Sequence, residues 1–300
     1  MAEPSGPTTA SGAAGGAPGG AVGGAPGDGL PGAGGDAERR AKRRQRAGLT
    51  VTVLGATAPY PGRGTAGPGY LVEGFGSRIL LDCGSGVLSR MLEWCDYPEL
   101  DAVVLSHLHF DHCADVLVLR YALEAAARSG RLLAPIPVYC PAEPREAAAL
   151  MSYKDALAAV PIQPEQPTDI AGLTAIFVPV RHAVETYGVI LRPAKVPAVG
   201  SLFFYTGDTE WMDELPERVG NCEILIAEAA LTSKQALLGP RVGHMTIGEA
   251  ARLGGMTNAK TIILTHHPPG RRPEEVLAEA GRALARPVLV ASEGLRIEWP

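Results

Sequence analysis

No run of about 18 apolar residues occurs anywhere in the 300-residue sequence, which excludes a membrane-spanning helix. The N-terminus has no apolar core, so no secretion signal is expected. Only five cysteines are present (Cys83, Cys95, Cys113, Cys140 and Cys222), and no two are closely spaced. An odd, scattered set excludes a disulfide framework and fits a reducing, cytoplasmic compartment. No repeat at solenoid spacing is found. Lysine is scarce, since 22 of the 27 basic residues are Arg, and this reads as compositional bias of the source genome. Hydrophobic residues at 46% and charged residues at 20% are ordinary globular values, so wholesale disorder is excluded as well.

Glycine and proline are abundant but unevenly placed. Residues 1–36 carry 13 of the 37 glycines and 5 of the 26 prolines, with almost no large apolar side chain. Such a segment cannot bury enough surface to offset its ordering entropy, so it is expected to be a disordered tail. Residues 37–46 (AERRAKRRQR) follow as a short helix or charged leader. Their six basic residues read more readily as a solvated run than as an anion contact. The expected organisation is a tail with a basic segment over 1–46 and one domain over 47–300. Segment 1–46 holds six basic and four acidic residues, so 47–300 holds 21 and 28, a net of −7. An acidic body argues against wholesale wrapping of a polynucleotide, though it leaves room for a local basic groove.

From residue 49 the pattern is that of an α/β domain. Leu49–Leu54 reads as a strand ending in Gly. Gly69–Glu73 and Arg78–Leu81 read as a hairpin, Asp101–Leu105 as a buried strand, and Pro135–Tyr139 as another. Further strands are expected near 173–179, 187–192, 201–205, 223–227, 261–264, 287–291 and 294–298. Helices are expected over Val87–Cys95, 113–129, 144–160, 246–254 and 273–285.

Three of the seven histidines fall within six residues, at His107, His109 and His112, with Asp111 between them. The cluster directly follows the strand Asp101–Leu105. Extended chain alternates its faces, so His107 and His109 can point the same way, and a turn into a helix brings Asp111 and His112 round from another side. One tight loop thus offers two metal-facing groups of imidazole and carboxylate, suitable for Zn²⁺ or a similar ion. The other chemistry-bearing residues also sit at strand ends or helix starts. His182 follows one strand, Asp208 another and His266 a third, while His244 precedes an expected helix start at Thr246. Together they read as one dinuclear site.

These motifs resemble the metallo-β-lactamase superfamily over roughly residues 49–298. The Gly/Pro loop from Gly55 to Gly69, Leu81-Asp-Cys-Gly-Ser-Gly, Ser106-His-Leu-His-Phe-Asp-His-Cys, His182-Ala-Val-Glu-Thr-Tyr-Gly, Gly243-His-Met-Thr and Leu264-Thr-His-His-Pro-Pro are similar to its ribonuclease Z-like phosphodiesterase branch. The Thr-His-x-Pro-Pro ending resembles small bacterial cyclic-nucleotide phosphodiesterases. The resemblance implies an αββα sandwich of two mixed β-sheets between helices. It implies two divalent ions per chain, Zn²⁺ first and Mn²⁺ as the alternative, and it is compatible with a homodimer. It assigns one metal to His107, His109 and His182, the other to Asp111, His112 and His266, and bridges them with Asp208. Asp111 and His244 are the expected catalytic residues, His244 as donor or acid at the substrate phosphate. Asp82 and Glu228 are expected to support the site. His267 reads as a supporting residue or bystander, Cys113 and Cys222 as core. Phe110 either lines the cleft or packs beneath it.

Two ions sharing a hydroxide lower the pKa of water to about 7 and offset charge on phosphoryl oxygens, so phosphodiester hydrolysis is the leading expectation. The expected partner is a small phosphodiester such as cyclic AMP. Ribonuclease Z-type tRNA processing is the first alternative, but a long tRNA-gripping arm typically lies between the third motif and the bridging Asp. Here His182 and Asp208 are only 26 positions apart. A different placement of the arm would have to use 114–181. Lactone or thioester hydrolysis and a non-catalytic nucleotide sensor are further alternatives, although the sensor is disfavoured because no ligand is lost. Deleting residues 1–46 is expected to leave the melting temperature and small-substrate turnover nearly unchanged. An unfolded or inactive truncation would show that the basic segment packs on the domain.

Overall fold

The apolar strands of this chain bury both of their faces, and that requirement sets the architecture. The computed structural model describes residues 48–194, 201–239 and 243–300. The expected tail and basic segment over 1–46 lie outside the described residues. The strands are β1 Leu49–Gly55, β2 Gly69–Gly74, β3 Ser77–Leu81, β4 Ala102–Val104, β5 Ile136–Cys140, β6 Leu157–Pro161 and β7 Thr168–Ile170. The second half contributes β8 Leu173–Pro179, β9 Tyr187–Pro193, β10 Ser201–Tyr205, β11 Cys222–Glu228, β12 Thr261–Thr265, β13 Leu289–Val290 and β14 Arg296–Trp299. They form two seven-stranded sheets, ordered β14-β1-β2-β3-β4-β5-β6 and β13-β12-β11-β10-β9-β8-β7. Each sheet is half antiparallel and half parallel. The parallel halves are β3-β4-β5-β6 in the first sheet and β10-β11-β12-β13 in the second.

Residues alternate between faces along each strand. Tyr70, Val72, Ile79, Leu81, Ala102 and Val104 meet Phe177, Val189, Phe203, Tyr205, Ile224 and Ile263 between the sheets. The intervening residues face outward onto helices. Leu71, Leu80 and Val103 pack on the helices Val87–Met91 and Val116–Arg128. Phe204, Leu225, Ile262 and Leu264 pack on Leu215–Val219, Ile247–Met256 and Pro273–Ala283. This is the expected αββα sandwich. None of the described helices is long and apolar enough to cross a membrane.

Several expected elements differ. The 144–160 helix stops at Ala149, and Leu157–Pro161 is instead a strand paired in parallel with β5, Ile136 opposite Leu157. Leu157-Ala-Ala-Val-Pro has good helix formers, but pairing with a sheet edge overrides local preference, and Pro161 is tolerated there. Val87–Cys95 is helical only to Met91. The expected 113–129 helix is Val116–Arg128, and a short helix that was not expected, Phe110–Cys113, precedes it. The break lies at Ala114–Asp115, where the Asp115 carboxylate accepts from Leu88 N–H at 3.0 Å across to the neighbouring helix. Strand β7 and the helices Leu215–Val219 and Ser233–Leu238 were not expected; each is three to six residues long, too short for a periodic signal.

Strands β3, β4, β8, β10, β11 and β12 all end at one edge of the sandwich, and the loops leaving them carry the histidine motifs. Phe177 on β8 is fully buried between the sheets. Phe177→Ala is expected to cost about 3–5 kcal/mol of unfolding free energy, read from the urea midpoint of the apoprotein.

Candidate metal centre

Three imidazoles at the shared edge have their Nδ1 atoms already committed. His182 Nδ1 donates to the Gly243 carbonyl at 2.8 Å. His112 Nδ1 donates to Asp82 Oδ2 at 2.8 Å. Ser106 Oγ gives its own proton to Asp82 Oδ2 at 2.8 Å, so at 3.0 Å it accepts from His107 Nδ1. A neutral imidazole has one N–H, so in its neutral form each of these rings turns an Nε2 lone pair inward. The lone pairs converge. His107 Nε2 and His182 Nε2 lie 3.0 and 3.1 Å from His109 Nδ1, and His112 Nε2 lies 3.2 Å from His266 Nε2.

Asp208 sits at the centre. Its Oδ2 is 3.0 Å from His266 Nε2, 3.5 Å from His112 Nε2, 3.7 Å from His107 Nε2 and 3.9 Å from His182 Nε2. Its Oδ1 is buried and has no hydrogen-bond partner. Asp111 Oδ2 closes the far side, 3.6 Å from His112 Nε2 and 3.7 Å from His266 Nε2. The donor atoms form five close groups among the described residues: His107, His109 and His182; Asp111, His112 and His266; His107, His112 and Asp208, which joins these two; and two that include His244, with His182 and Asp208 and with Glu228 and His266. Imidazole nitrogens and carboxylates gathered this closely are a donor set for cations, and divalent ions fit it.

The local fold explains the convergence. His107 and His109 lie on extended chain beyond β4. His109 is in extended conformation directly before the helix Phe110–Cys113, which turns Asp111 and His112 back onto the cluster. The Asp111 carbonyl packs onto the Gly84 backbone, where a Cβ would meet it at 2.0 Å, so this loop demands Gly. Asp82, beyond β3, is fully buried and also accepts from Ser106 N–H at 2.7 Å and Tyr205 O–H at 2.8 Å.

The electrostatics follow burial and charge. Burial holds His107 well below the usual imidazole range. Burial also opposes charge on His266, but the Asp208 and Asp111 carboxylates outweigh it and push this ring up to about 10. Burial would raise Asp208, yet His266, His112 and His107 hold it well below the usual carboxylate range. The cluster therefore attracts positive charge.

All seven expected ligands are brought together. His244 stands beside them, its ring 5.1 Å from that of His182 and 5.2 Å from that of His266. Its Nδ1 donates to Glu228 Oε1 at 3.1 Å. Burial disfavours its charge, but the Glu228 carboxylate overcomes this and raises its pKa. His267 is buried apart, its Nε2 on the Leu264 carbonyl at 3.1 Å. Phe110 is 65% exposed and packs beneath nothing. Cys113 and Cys222 are buried. Sequence reasoning missed Ser106, Tyr205, Glu210 and Gly243. Ser106 and Gly243 adjoin named histidines, but only the folded chain shows what their oxygens accept or donate.

Comparison with known proteins places these features. The family described as "Beta-lactamase superfamily domain" matches residues 77–267. "Probable metallo-hydrolase YhfI" of Bacillus subtilis is 30% identical over 246 residues, covering 82% of this chain and 98% of that protein. The crystal structure of the metallo-beta-lactamase fold protein YhfI superposes with a TM-score of 0.78 at 29% identity, over 84% of this chain and 100% of that one. A Ribonuclease Z of Bradyrhizobium diazoefficiens is 27% identical over 303 residues, covering 78% of this chain and 94% of that protein. Human tRNase Z, short form, shares the fold with a TM-score of 0.64 at 20% identity, over 84% of this chain and 99% of that one.

Tyr205→Phe removes one donor from the buried Asp82 carboxylate. A hydrogen bond to a charged group is worth about 1.5–3 kcal/mol. A loss of that size is expected in denaturant melts, with an unchanged m-value.

Proposed function

Because the chain belongs to the beta-lactamase superfamily and has its metallo-β-lactamase fold, we propose that it hydrolyses a small phosphodiester with two divalent ions, a cyclic nucleotide such as cyclic AMP being the leading substrate. The chain is a metal-dependent hydrolase. The observation that carries the dinuclear reading is the convergence of Nε2 lone pairs and carboxylates on Asp208. We assign His107, His109 and His182 to one ion, Asp111, His112 and His266 to the other, and Asp208 to both. Zn²⁺ suits this set, with Mn²⁺ as the alternative. When bound, such ions acidify water and neutralise charge growing on a phosphoryl group.

The remaining work falls to the protein. Asp82 and Ser106 fix the rings of His112 and His107, and Gly243 fixes that of His182, so the ligands need no reordering. His244 keeps its Nδ1 on Glu228, which favours the protonated ring. We assign the other nitrogen as proton donor to the leaving oxygen. His182 and Asp208 are only 26 positions apart, and the described residues between them include β9 and β10, two strands of the sheet, which leaves little sequence for a substrate-gripping arm. That favours a small diester over tRNA. The five buried, unbridged thiols suit a reducing compartment, and we place the enzyme in the cytoplasm.

Relatives named Ribonuclease Z give the tRNA-processing reading a specific footing, so the decisive experiment compares the two. Metal-loaded protein is expected to cleave cyclic AMP or a similar small diester orders of magnitude more efficiently than pre-tRNA, in kcat/KM at one ionic strength. Equal cleavage of pre-tRNA at physiological salt would move the tRNA reading to first place. His244→Ala should lower kcat by about 10²–10³, the usual cost of one removed donor. Asp208→Ala should cost more, because it loosens both ions, and it serves as the control for contaminating nucleases. An intact rate in His244→Ala would refute the donor assignment.

A further inference from the structure

Glu210 belongs to none of the converging donor groups, yet it is tied to one of their rings through a single residue, Gly243. It lies two residues beyond Asp208. Its Oε1 accepts from Gly243 N–H at 3.0 Å, and the carbonyl of the same Gly243 accepts from His182 Nδ1 at 2.8 Å. Its own N–H donates to the carbonyl of Arg181, the neighbour of His182, and Arg181 N–H reaches Thr209 Oγ1 at 3.2 Å. Gly243 is buried with φ at +82°, and a Cβ there would lie 2.4 Å from His182 Nδ1. No side chain fits at this point, and the backbone conformation also favours Gly. Glu228 laces the same pair of turns from the other side, since its Oε1 accepts from Thr209 N–H at 3.2 Å and Met245 N–H at 2.9 Å.

We propose that Glu210 is a positioning residue that sets the tautomer and orientation of His182 by holding Gly243, whose N–H it accepts and whose carbonyl meets the ring. The chain of cause is short. The Glu210 carboxylate anchors the N–H of Gly243. This aims the Gly243 carbonyl at His182 Nδ1, which keeps its proton there. His182 Nε2 is then left as a lone pair facing His109 and Asp208. The relay also joins the ligand His182 to the proposed proton donor, because His244 is the next residue after Gly243. The proposal rests on the metal reading above and extends it to a residue outside the ligand set.

The test uses the full chain as wild type, Glu210→Ala, Glu210→Gln and Gly243→Ala. Each protein is stripped and reloaded with Zn²⁺. Bound metal is measured by elemental analysis, affinity by competition with a chromogenic chelator, and the tautomer of His182 by histidine ¹⁵N NMR. Glu210→Ala and Gly243→Ala are expected to weaken one of two Zn²⁺ ions by about 10–100-fold, the usual cost of losing such a support. The His182 Nδ1–H signal should broaden or shift in both. Glu210→Gln keeps an acceptor oxygen and should stay close to wild type. Glu210 is only half-buried, so Glu210→Ala should fold and decides the question even if Gly243→Ala does not. Two ions held with wild-type affinity in Glu210→Ala overturn the proposal, as does an equal loss in Glu210→Gln, which would point to charge alone. Wild type that takes up no divalent ion overturns the metal reading, and this proposal with it.

Discussion

The buried carboxylate of Asp208 among four imidazoles is the constraint on which the rest of the structure depends. A carboxylate this deep cannot stand unpaired, so the chain surrounds it with rings drawn from both sheets. His107 and His112 come from the loop beyond β4 of the first sheet. His182 and His266 come from loops beyond β8 and β12 of the second. The six supporting strands must therefore end at one level; five belong to the parallel halves of the sheets, and β8 runs in the same direction as β10 across the antiparallel β9. The apolar filling between the sheets, with Phe177, Phe203 and Tyr205 at its centre, holds those strand ends in register. Packing and chemistry are coupled because the site has no single element of its own.

A second layer of hydrogen bonds converts this placement into directed lone pairs. Asp82 receives three side chains, Ser106, His112 and Tyr205, and one backbone N–H. It is acceptor-only when ionised, so each partner's proton must point at it. That fixes His112 directly and His107 through Ser106. On the other sheet a backbone carbonyl does the same for His182. The ligands are thus oriented by groups that never face the centre.

Much of this was legible in the sequence because chemistry-bearing residues sat in close-spaced motifs after strand patterns. The His107–His112 cluster, the strand-end positions of His182, Asp208 and His266, and the two-faced apolar strands each carried a local signal. What was illegible was non-local or short. Leu157–Pro161 looks helical in isolation and becomes a strand only because β5 offers an edge. Helices of five or six residues have no period to detect. Tyr205 reads as one more core aromatic, and nothing in its neighbourhood tells that its hydroxyl reaches Asp82, 123 positions away. Glu210 reads as a turn residue until Gly243 is seen beside it.

The outermost strands have a consequence for how this molecule meets others. The four sheet edges are β14, β6, β13 and β7. Strand β13 has two residues and β7 has three, β6 ends in Pro161, and β14 carries Arg296 and Glu298. Short, proline-stopped or charged borders offer a poor template for strand addition by a second chain. Edge-to-edge growth into aggregates is discouraged at all four of these borders among the described residues. A homodimer of this protein would therefore be built through a helical face or a loop, not by extending either sheet.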